Sequence, residues 1–468
     1  MPDLRTDVIV VGAGVSGLVA ARALQASGHR VVVLEKGTRT GGRARSGSAG
    51  NSLVDLGGDW ISADHTQTLA LLAELGVETT APRETGDDIY IDGAGRAVRF
   101  AGDLFPVAPG TEMQMMALIG ELDALLAPGH VPDDAGLTLG EWLELRSSDD
   151  EARRAVALLV AGSRAGGAVG TLSLLEAVTL AAGAGSFSNL VDRRFRAHRR
   201  VRGGLHHFAS ALESELADDV LVGREVTELR GSDNGVLALA GDLTVHAHAA
   251  VIAVPAEDAR RMMPRASGDP RGHGSACVAV RDDAGRHQLK FHAVYPRPFW
   301  RDAGLSGEGL SPFQPVSEVQ DVSWTPARGE EFWEGEPRGV GQGILAGYAD
   351  AHATRALLEL PSEQRRAQVL ASLARYVGTE AQEPIGYVET VWPSGYGGVH
   401  HTFPGWAVVA GDSVPGHGFR HVEGAVRAGD RAASQVSALL RGTQDLVTID
   451  ISSGARPGNP GGAEGRES

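Results

Sequence analysis

Residues 7–36, DVIVVGAGVSGLVAARALQASGHRVVVLEK, constrain the fold more than any other stretch of this chain. A β-branched run at the start is typical of a strand buried on both faces. Three glycines follow in the spacing G-x-G-x-x-G, at Gly12, Gly14 and Gly17. Apolar residues then recur at helical spacing, and a second β-branched run ends at Glu35. This order of strand, glycine turn, helix and strand predicts a parallel α/β unit that binds a dinucleotide.

Each glycine of the motif has a physical purpose. The first permits the tight turn out of the strand, the second lets the backbone approach a pyrophosphate, and the third lets the helix pack closely on the sheet. The helix N-terminus presents unpaired N–H groups and the positive end of its dipole to the phosphates. Glu35 stands about 20 residues beyond Gly12, where an acid can accept hydrogen bonds from ribose hydroxyls. A parallel α/β unit without a ligand is the alternative interpretation.

Two further motifs follow the dinucleotide unit. One ends in Gly42 and Arg43, and the other, DLGGDW, ends in Gly58, Asp59 and Trp60. Together they resemble the flavin-containing amine oxidase superfamily, the family of monoamine and polyamine oxidases. In that family the first turn places its backbone and its arginine against the pyrophosphate of FAD, and an arginine fork suits a diphosphate. The resemblance therefore implies FAD rather than NAD, whereas an isolated arginine would be interpreted as a solvated loop residue.

Later segments of the chain extend the resemblance. WPSGYGG begins at Trp392, a Gly-Asp pair ends at Asp412, and VEGAVRAGDRAA begins at Val422. In the family the acid binds the ribityl hydroxyls, and the helix that begins at Val422 directs its N–H groups at the flavin C2 carbonyl, which stabilises negative charge on the ring. A family valine whose backbone meets the adenine corresponds to Val226.

The resemblance implies an α/β fold with a Rossmann-type FAD-binding domain, built from discontinuous segments, and an α+β substrate-binding domain. The predicted segments of the FAD domain are 1–76, 200–265 and 391–440, and those of the substrate domain are 77–199 and 266–390. Residues 441–468 are rich in Gly, Pro, Ser and charge, which predicts a disordered tail.

Lysine is rare in this chain, which has only Lys36 and Lys290. The second lies ten residues before Trp300 of a Pro-Phe-Trp segment. In many amine oxidases a lysine at this spacing holds a water against flavin N5, so the resemblance implies a catalytic role for Lys290. A surface lysine on a strand is the alternative interpretation.

The chain departs from the family at two positions that face the flavin. The family usually has two tyrosines there, and the corresponding residues by spacing are His400 and His421. Histidines can stack on an amine or transfer protons near neutral pH, so both are candidate catalytic residues with Lys290. A pocket adapted to another substrate is the simpler interpretation. No acid or cysteine completes a recognisable ligand spacing around these histidines, so no metal site is predicted.

The family resemblance implies hydride transfer from the carbon next to an amine nitrogen to flavin N5, with O2 as acceptor and H2O2 as product. Asp59 stands near the position where the L-amino acid oxidase branch carries an arginine, which favours an amine over an α-amino acid. An FAD-dependent desaturase or dehydrogenase of a secondary-metabolite or amino-acid substrate remains the alternative on the same scaffold. A flavin-binding protein without turnover is a second alternative.

Composition limits the partners and the environment. The net charge of −16 disfavours nucleic acid and anionic membrane surfaces. No apolar run approaches the about 20 residues of a membrane span, so a cytoplasmic protein is expected. Cys277 is the only cysteine, which excludes an intrachain disulfide and leaves the C-terminal motif without a thiol. The FAD is therefore predicted to be non-covalent; a homodimer is left open.

Overall fold

The structure is a computed structural model that describes residues 3–83, 85–102, 106–127, 136–162, 172–232, 235–263, 287–324, 341–393 and 405–441. His400, Cys277 and residues 442–468 of the predicted tail lie outside these ranges. In the part of the chain that the structure describes, every helix is too short or too polar to span a bilayer.

A parallel sheet forms around the first strand of the glycine motif. In the described ranges its strands, in spatial order, are Val220–Leu221, Val31–Leu34, Val8–Val11, Ala249–Ile252 and Ala407–Val409. Every neighbouring pair runs parallel. The strands come from separate stretches of the chain, which confirms a Rossmann-type fold built from discontinuous segments. The residue boundaries of the two domains stay a prediction.

The two faces of this sheet pack against different layers. Val8 and Val10 point to a layer of helices, whereas Ile9 and Val11 point to a second sheet. Side chains alternate along a strand, so a strand covered on both faces is apolar at every position. In the described ranges the strands of the second sheet, in spatial order, are Asp3–Arg5, Leu243–Ala247, Gly235–Ala240 and Glu228–Ser232.

A third, mixed sheet draws most of its strands from the two segments predicted for the substrate domain. Its described strands, in spatial order, are Gly386–Pro393, His287–Tyr295, Gly343–Ala349, Val316–Asp321, Leu305–Leu310, Asp87–Ile91 and Ala97–Phe100. Among the described residues, two short antiparallel pairs lie outside the larger sheets. They are Ser46–Ala49 with Ser52–Asp55, and Thr79–Thr80 with Arg200–Val201.

Helices cover the sheets and form a separate apolar cluster. The described α-helices are Val15–Ala26, Thr66–Glu74, Pro109–Ala124, Leu139–Arg146, Asp150–Ala161, Leu174–Ala184, Phe187–Val191, Arg193–Arg196, Leu205–Leu216, Ala256–Met262, Phe299–Asp302, Ala351–Leu358, Ser362–Val377 and Val422–Leu440. The 3₁₀ turns of the described ranges are Ala217–Asp219 and Thr379–Gln382.

The spacing of apolar residues predicts a helix over residues 138–160, but the structure has two helices there, Leu139–Arg146 and Asp150–Ala161. Thr138 caps the first helix through a capping box with Glu141, and that helix ends at Arg146. Asp149 then caps the second helix by accepting a hydrogen bond from the backbone N–H of Ala152. Periodicity alone missed the break because both helices keep apolar residues at helical spacing, whereas the caps mark where each begins.

The helix of the glycine motif, Val15–Ala26, and the last described helix, Val422–Leu440, pack against each other at close range. A Cβ atom at Gly429 would lie 2.6 Å from the backbone oxygen of Ser16 and 2.9 Å from Cβ of Val19. Glycine therefore allows the two helix backbones to approach. Residues at the beginnings of both helices, Val15 and Val422 among them, line the same cavity.

Candidate active site

A large cavity runs from the glycine turn to the mixed sheet. Its volume is 1540 Å³, and its lining includes Gly14 at one end and Glu308 at another. A pocket for one small ligand measures about 300–1,000 Å³. The cavity therefore has room for a dinucleotide and a small substrate together.

The glycine turn has the geometry that a bound pyrophosphate needs. Gly12 has φ +100°, and a Cβ there would lie 2.7 Å from the carbonyl oxygen of Ala253. A Cβ at Gly17 would lie only 2.0 Å from the carbonyl oxygen of Gly12. In contrast, a Cβ at Gly14 would meet nothing within 4 Å, and Gly14 lines the cavity. Open space in front of this backbone lets a ligand approach it directly.

Residues around the turn complete the nucleotide end of the cavity. Glu35 is held at the strand end because its Oε2 accepts a hydrogen bond from the N–H of Ala13 at 2.8 Å and its Oε1 from that of Gly37 at 2.7 Å. Gly42 lies so close to the first turn that its Cβ would be 3.3 Å from Cα of Gly14. Val226 also lines the cavity.

Four more of the predicted cofactor residues lie along the cavity. Arg43 donates a hydrogen bond from Nη2 to Oδ1 of Asp412, although the two are far apart in sequence. Trp392 donates from Nε1 to the carbonyl oxygen of Leu56 at 2.7 Å, and Val422 begins the last helix. An arginine fork, an acid and a helix N-terminus are donor and acceptor groups that suit the diphosphate, ribityl chain and ring of FAD.

Lys290 is buried, with 2% of its surface exposed. Its ammonium nitrogen donates to the backbone oxygens of Asp55 at 2.6 Å and Gly57 at 2.7 Å, and to Oδ2 of Asp59 at 2.6 Å. Burial lowers the pKa of Lys290 and the Asp59 carboxylate opposes that change. Since the carbonyls and the carboxylate can only accept, three N–H groups are needed, and Lys290 is an ammonium ion. It is therefore no surface lysine.

Asp59 has a different environment at each carboxylate oxygen. Oδ2 accepts hydrogen bonds from Lys290 and from the hydroxyl of Tyr348, the latter at 2.9 Å. Burial, with the Asp59 carboxylate, keeps the pKa of Tyr348 well above its usual value, so its hydroxyl remains a donor. Oδ1 is buried and has no hydrogen-bond partner among the described residues. The neighbouring Trp60 donates from Nε1 to Oε1 of Gln320 at 2.8 Å.

His421 lies just before the last helix and lines the cavity. Its Nδ1 lies 2.9 Å from the carbonyl oxygen of Phe419, which can only accept, so Nδ1 carries the proton in the neutral ring. Nε2 then keeps a lone pair. Burial lowers the pKa of His421, which favours this neutral form.

A second histidine, which sequence reasoning missed, packs against His421. The rings of His65 and His421 meet edge to face, with centroids 5.4 Å apart. Nδ1 of His65 accepts a hydrogen bond from the N–H of Ser62 at 3.1 Å, and burial lowers the pKa of His65 to about 2. His65 is therefore a neutral packing partner that holds the ring of His421 in place.

Carboxylates line the cavity where it meets the mixed sheet. Glu308 and Glu318 lie on neighbouring strands, and Asp88 lies on the strand beyond. Arg193 and Arg196 approach them from a short helix, at 3.7 Å from Asp88 and 3.8 Å from Glu318 respectively. The sequence held one signal for this cluster, an acid inside a glycine-rich strand, LSGEGL, but nothing in it indicated which residues lie opposite.

The structure brings nearly all the predicted site residues to one cavity. Those that line it are Gly12, Gly14, Glu35, Gly42, Arg43, Gly58, Asp59, Trp60, Val226, Lys290, Trp392, Asp412, His421 and Val422. Gly17 is not among the lining residues and contacts the glycine turn from behind. His400 lies outside the described residues. Within the described ranges, no group of three or more His, Cys, Asp or Glu side chains could hold a metal ion.

Comparisons with known proteins identify the family. The family model described as flavin containing amine oxidoreductase matches residues 15–437. A putrescine oxidase from Kocuria rosea is 34% identical, over 92% of this chain and 95% of that protein. The structure of wild-type putrescine oxidase bound to putrescine aligns with a TM-score of 0.81 at 34% identity, covering 93% and 100% of the two chains. Cyclohexylamine oxidase from Brevibacterium oxydans aligns with a TM-score of 0.77 at 25% identity, covering 93% and 99%.

These matches extend over most of the chain and agree with the cavity that its motifs build. The predicted flavin chemistry and the predicted α/β fold are both confirmed. The chain belongs to the flavin-containing amine oxidoreductase family and is a flavin-dependent enzyme that oxidises amines.

Proposed function

We propose that this enzyme oxidises a primary amine that carries a second cationic group, with FAD bound non-covalently and O2 as the electron acceptor. The observation that carries the proposal is the carboxylate of Glu308, which lines the cavity. Among the described residues, its hydrogen bond comes from the backbone N–H of Asp321, at 3.2 Å from Oε1. A carboxylate that lines a cavity and has so few hydrogen bonds to stabilise its charge favours a cationic ligand.

The electrostatics of Glu308 support a cation site. Burial raises the pKa of this side chain to about 8, and the carboxylates of Asp88 and Glu318 add to the rise. Arg193 opposes it. A raised pKa means that the ionised carboxylate is poorly stabilised by its surroundings, so an ammonium group placed beside it would lower the free energy of both charges.

The charges that surround Glu308 also favour a cationic ligand. When all three are ionised, the cavity carboxylates of Asp88, Glu308 and Glu318 face two guanidinium groups, those of Arg193 and Arg196, so one negative charge is left for a cationic ligand to neutralise. Both arginines lie nearer to the other two carboxylates, at 3.7 Å and 3.8 Å. These separations exceed hydrogen-bond distance, so neither pair is tight. The remaining charge is assigned to Glu308.

A diamine would satisfy both ends of the cavity. One amine would be oxidised beside the flavin, and the other, still an ammonium ion, would pair with Glu308. Putrescine, for which the similar Kocuria rosea enzyme is named, is a diamine of this kind. The similarity supports a diamine for this enzyme, and the length of the diamine is left to measurement.

His421 is proposed to orient the reacting amine. Its Nε2 keeps a lone pair because Nδ1 is committed to the carbonyl oxygen of Phe419, and the residue lines the cavity. An amine enters as an ammonium ion and must lose a proton before its nitrogen can assist the departure of a hydride. Nε2 of His421 would accept a hydrogen bond from the ammonium group of the substrate and then take its proton, as a general base does. His400, the other predicted histidine of this pair, lies outside the described residues, so its role stays a prediction.

Bound FAD would supply the oxidising chemistry, accepting a hydride from the carbon next to the amine nitrogen. The glycine turn and Arg43 would hold its phosphates, and Asp412 would hold its ribityl chain. The chain's only cysteine, Cys277, is far in sequence from the C-terminal motif, so a thioether to the flavin is not expected. Acid precipitation should leave all the flavin absorbance in the supernatant, and a yellow pellet would contradict non-covalent binding.

The first experiment is anaerobic mixing of the holoenzyme with a panel of amines. Diamines of increasing length, matched monoamines and amino acids are added, and the visible flavin absorbance is followed. Diamines are expected to bleach the flavin fastest, and O2 should then restore the absorbance and produce H2O2. Bleaching by none of them, with flavin that dithionite still reduces, would favour the desaturase or dehydrogenase alternative.

Replacement of Glu308 by glutamine is expected to raise KM for a diamine at least tenfold. The amide keeps the shape of the side chain but loses the charge that pairs with the distal ammonium, and tenfold corresponds to about 1.4 kcal/mol. KM for the monoamine of the same chain length should change less than threefold. Glu121→Gln is the matched control, since Glu121 pairs with Arg146 at 3.4 Å and neither residue lines the cavity. An unchanged diamine KM in Glu308→Gln would exclude this subsite.

A further inference from the structure

Lys290 has no N–H group left with which to hold a ligand in the cavity. Its three protons are directed at two backbone carbonyl oxygens and at Oδ2 of Asp59, all within 2.7 Å. To bind a water against the flavin, the ammonium ion would have to give up one of these short hydrogen bonds. The geometry therefore separates Lys290 from the cavity contents, although the residue lines the cavity wall.

Asp59, in contrast to Lys290, still has an atom that can bind a ligand in the cavity. Its Oδ1 is buried and has no partner among the described residues, while Oδ2 is doubly hydrogen bonded. Buried carboxylate oxygens are almost always hydrogen bonded, so an unpaired one next to a cavity indicates a donor that binds there. Asp59 also lines the cavity between Gly58 and Trp60, which belong to the predicted flavin-binding motif.

The surroundings make Lys290 the partner of Asp59 rather than of another acid. The nearby Asp55 is held elsewhere, because its Oδ1 accepts hydrogen bonds from the N–H of Leu205 and the hydroxyl of Ser46, both at 2.8 Å. Its Oδ2 faces Arg200 at 3.4 Å. Asp55 with Arg200 and Asp59 with Lys290 thus form two neutral pairs, and only the second has an oxygen available to the cavity.

We propose that Asp59, rather than Lys290, is the side chain of this centre that contacts the flavin site. Its Oδ1 accepts a hydrogen bond from an N–H or O–H donor at the flavin ring, which is either the ring itself or a water resting on it. Lys290 is a positioning residue that pairs with Oδ2 of Asp59 and leaves Oδ1 for the cavity. This inference depends on flavin binding and is independent of the diamine substrate.

A carboxylate at the flavin ring affects the flavin even without substrate. Its negative charge opposes the addition of electrons, and Asp59→Asn removes that charge while keeping the shape. The equilibrium between oxidised and reduced flavin should then shift at least tenfold toward the reduced form. For a two-electron couple this raises the midpoint potential by about 30 mV. The midpoint potential is measured on purified holoenzyme by reductive titration with dithionite and a reference dye.

Tyr348→Phe is the matched control. It removes one hydrogen bond to Oδ2 of Asp59 but leaves the charge and Oδ1 unchanged. Its reduction equilibrium should stay within threefold of that of the wild type. FAD content and the thermal midpoint are measured for every variant. A wild-type potential in an Asp59→Asn protein that retains its FAD would overturn the proposal, and so would an equal shift in Tyr348→Phe.

The positioning role of Lys290 has its own signature. Without the ammonium group, a buried Asp59 has a raised pKa and titrates in a higher pH range. The plot of midpoint potential against pH should therefore gain an inflection in Lys290→Met that the double variant Lys290→Met/Asp59→Asn lacks. A merely structural lysine would produce no inflection, and an inflection that persists in the double variant would assign it to another group.

A measurement on the wild type covers the case in which the variants lose FAD. Holoenzyme labelled with ¹³C-aspartate is reduced with dithionite, and the infrared difference spectrum is compared with that of unlabelled enzyme. A hydrogen bond from the flavin site to Asp59 should shift an aspartate carboxylate band on reduction. No shifted aspartate band would overturn the proposal. Since dithionite replaces the amine, failure of this test and failure of the diamine proposal are distinguishable.

Discussion

Replacement of Gly17 by valine is expected to abolish FAD binding. A Cβ at this position would lie 2.0 Å from the carbonyl oxygen of Gly12 and 3.1 Å from Cβ of Ala253. The clash is with backbone, so the first turn of the helix must move away from the strand and the phosphate site opens. A displacement that costs more than about 3 kcal/mol weakens binding more than about 100-fold. The ratio of visible flavin absorbance to protein absorbance after gel filtration measures the loss.

The control for this prediction is the same substitution at Gly120. Gly120 also lies within a helix, Pro109–Ala124, and its Cβ would meet nothing within 4 Å. Gly120→Val should bind FAD as the wild type does, because valine has a higher helix propensity than glycine. Full FAD content in Gly17→Val would show that the close approach of helix and strand is not required for cofactor binding.

The second large effect is expected from His421→Phe. Phenylalanine keeps an aromatic ring against His65 but removes Nε2, the proposed acceptor of the amine proton. General-base groups contribute about 10²- to 10⁴-fold, so the rate of flavin reduction at neutral pH should fall at least 100-fold. Stopped-flow measurement of flavin bleaching under anaerobic conditions separates this step from reoxidation.

The rate of flavin reduction is expected to depend on pH through the protonation of His421. Burial lowers the pKa of His421, so Nε2 is neutral at pH 7 and becomes protonated only at acidic pH. Wild-type flavin reduction should therefore decline as the pH falls through a value below the usual range of histidine. In His421→Phe this decline should be replaced by a rate that rises with pH up to the pKa of the amine itself, because only the already neutral amine reacts.

His417→Phe is the control for the His421 variant. His417 lies in the same loop but interacts with Asp64 through Nε2, 3.1 Å from the backbone oxygen, and does not line the cavity. Its flavin reduction should stay within threefold of the wild-type rate over the whole pH range. A wild-type pH profile in His421→Phe would remove Nε2 from the proton pathway and leave His421 as a packing residue.

The parts of this protein that the sequence determined are those encoded by neighbouring residues. The strand Val8–Val11, the helix Val15–Ala26 and the strand Val31–Leu34 follow from hydrophobic periodicity and from glycines at fixed spacing. The same local motifs indicated the flavin and the family. The interruption within residues 138–160 was missed although its capping residues are also local, because periodicity was used without the caps.

The chemistry of the site was decided by contacts between distant parts of the chain. Lys290 could be singled out by its spacing from Trp300, but its hydrogen bond to Asp59 joins residues 231 positions apart. Glu308 and Glu318 come together because two strands pair in one register, and a slip by one residue would turn either side chain to the other face. No local pattern encodes that register.

The protonation state of His421 is a further property that only the tertiary structure provides. The residue could be matched to a family position from the sequence, but its acceptor nitrogen is defined by the carbonyl of Phe419. That carbonyl is aimed at the ring by a turn in which Arg420 has a φ of +63°, a conformation that side-chain-bearing residues rarely adopt. The sequence thus determined the fold family and the flavin, because their signals lie between near neighbours. The tertiary structure decided which donors and acceptors remain available to a ligand, because hydrogen bonds between distant residues use up the others.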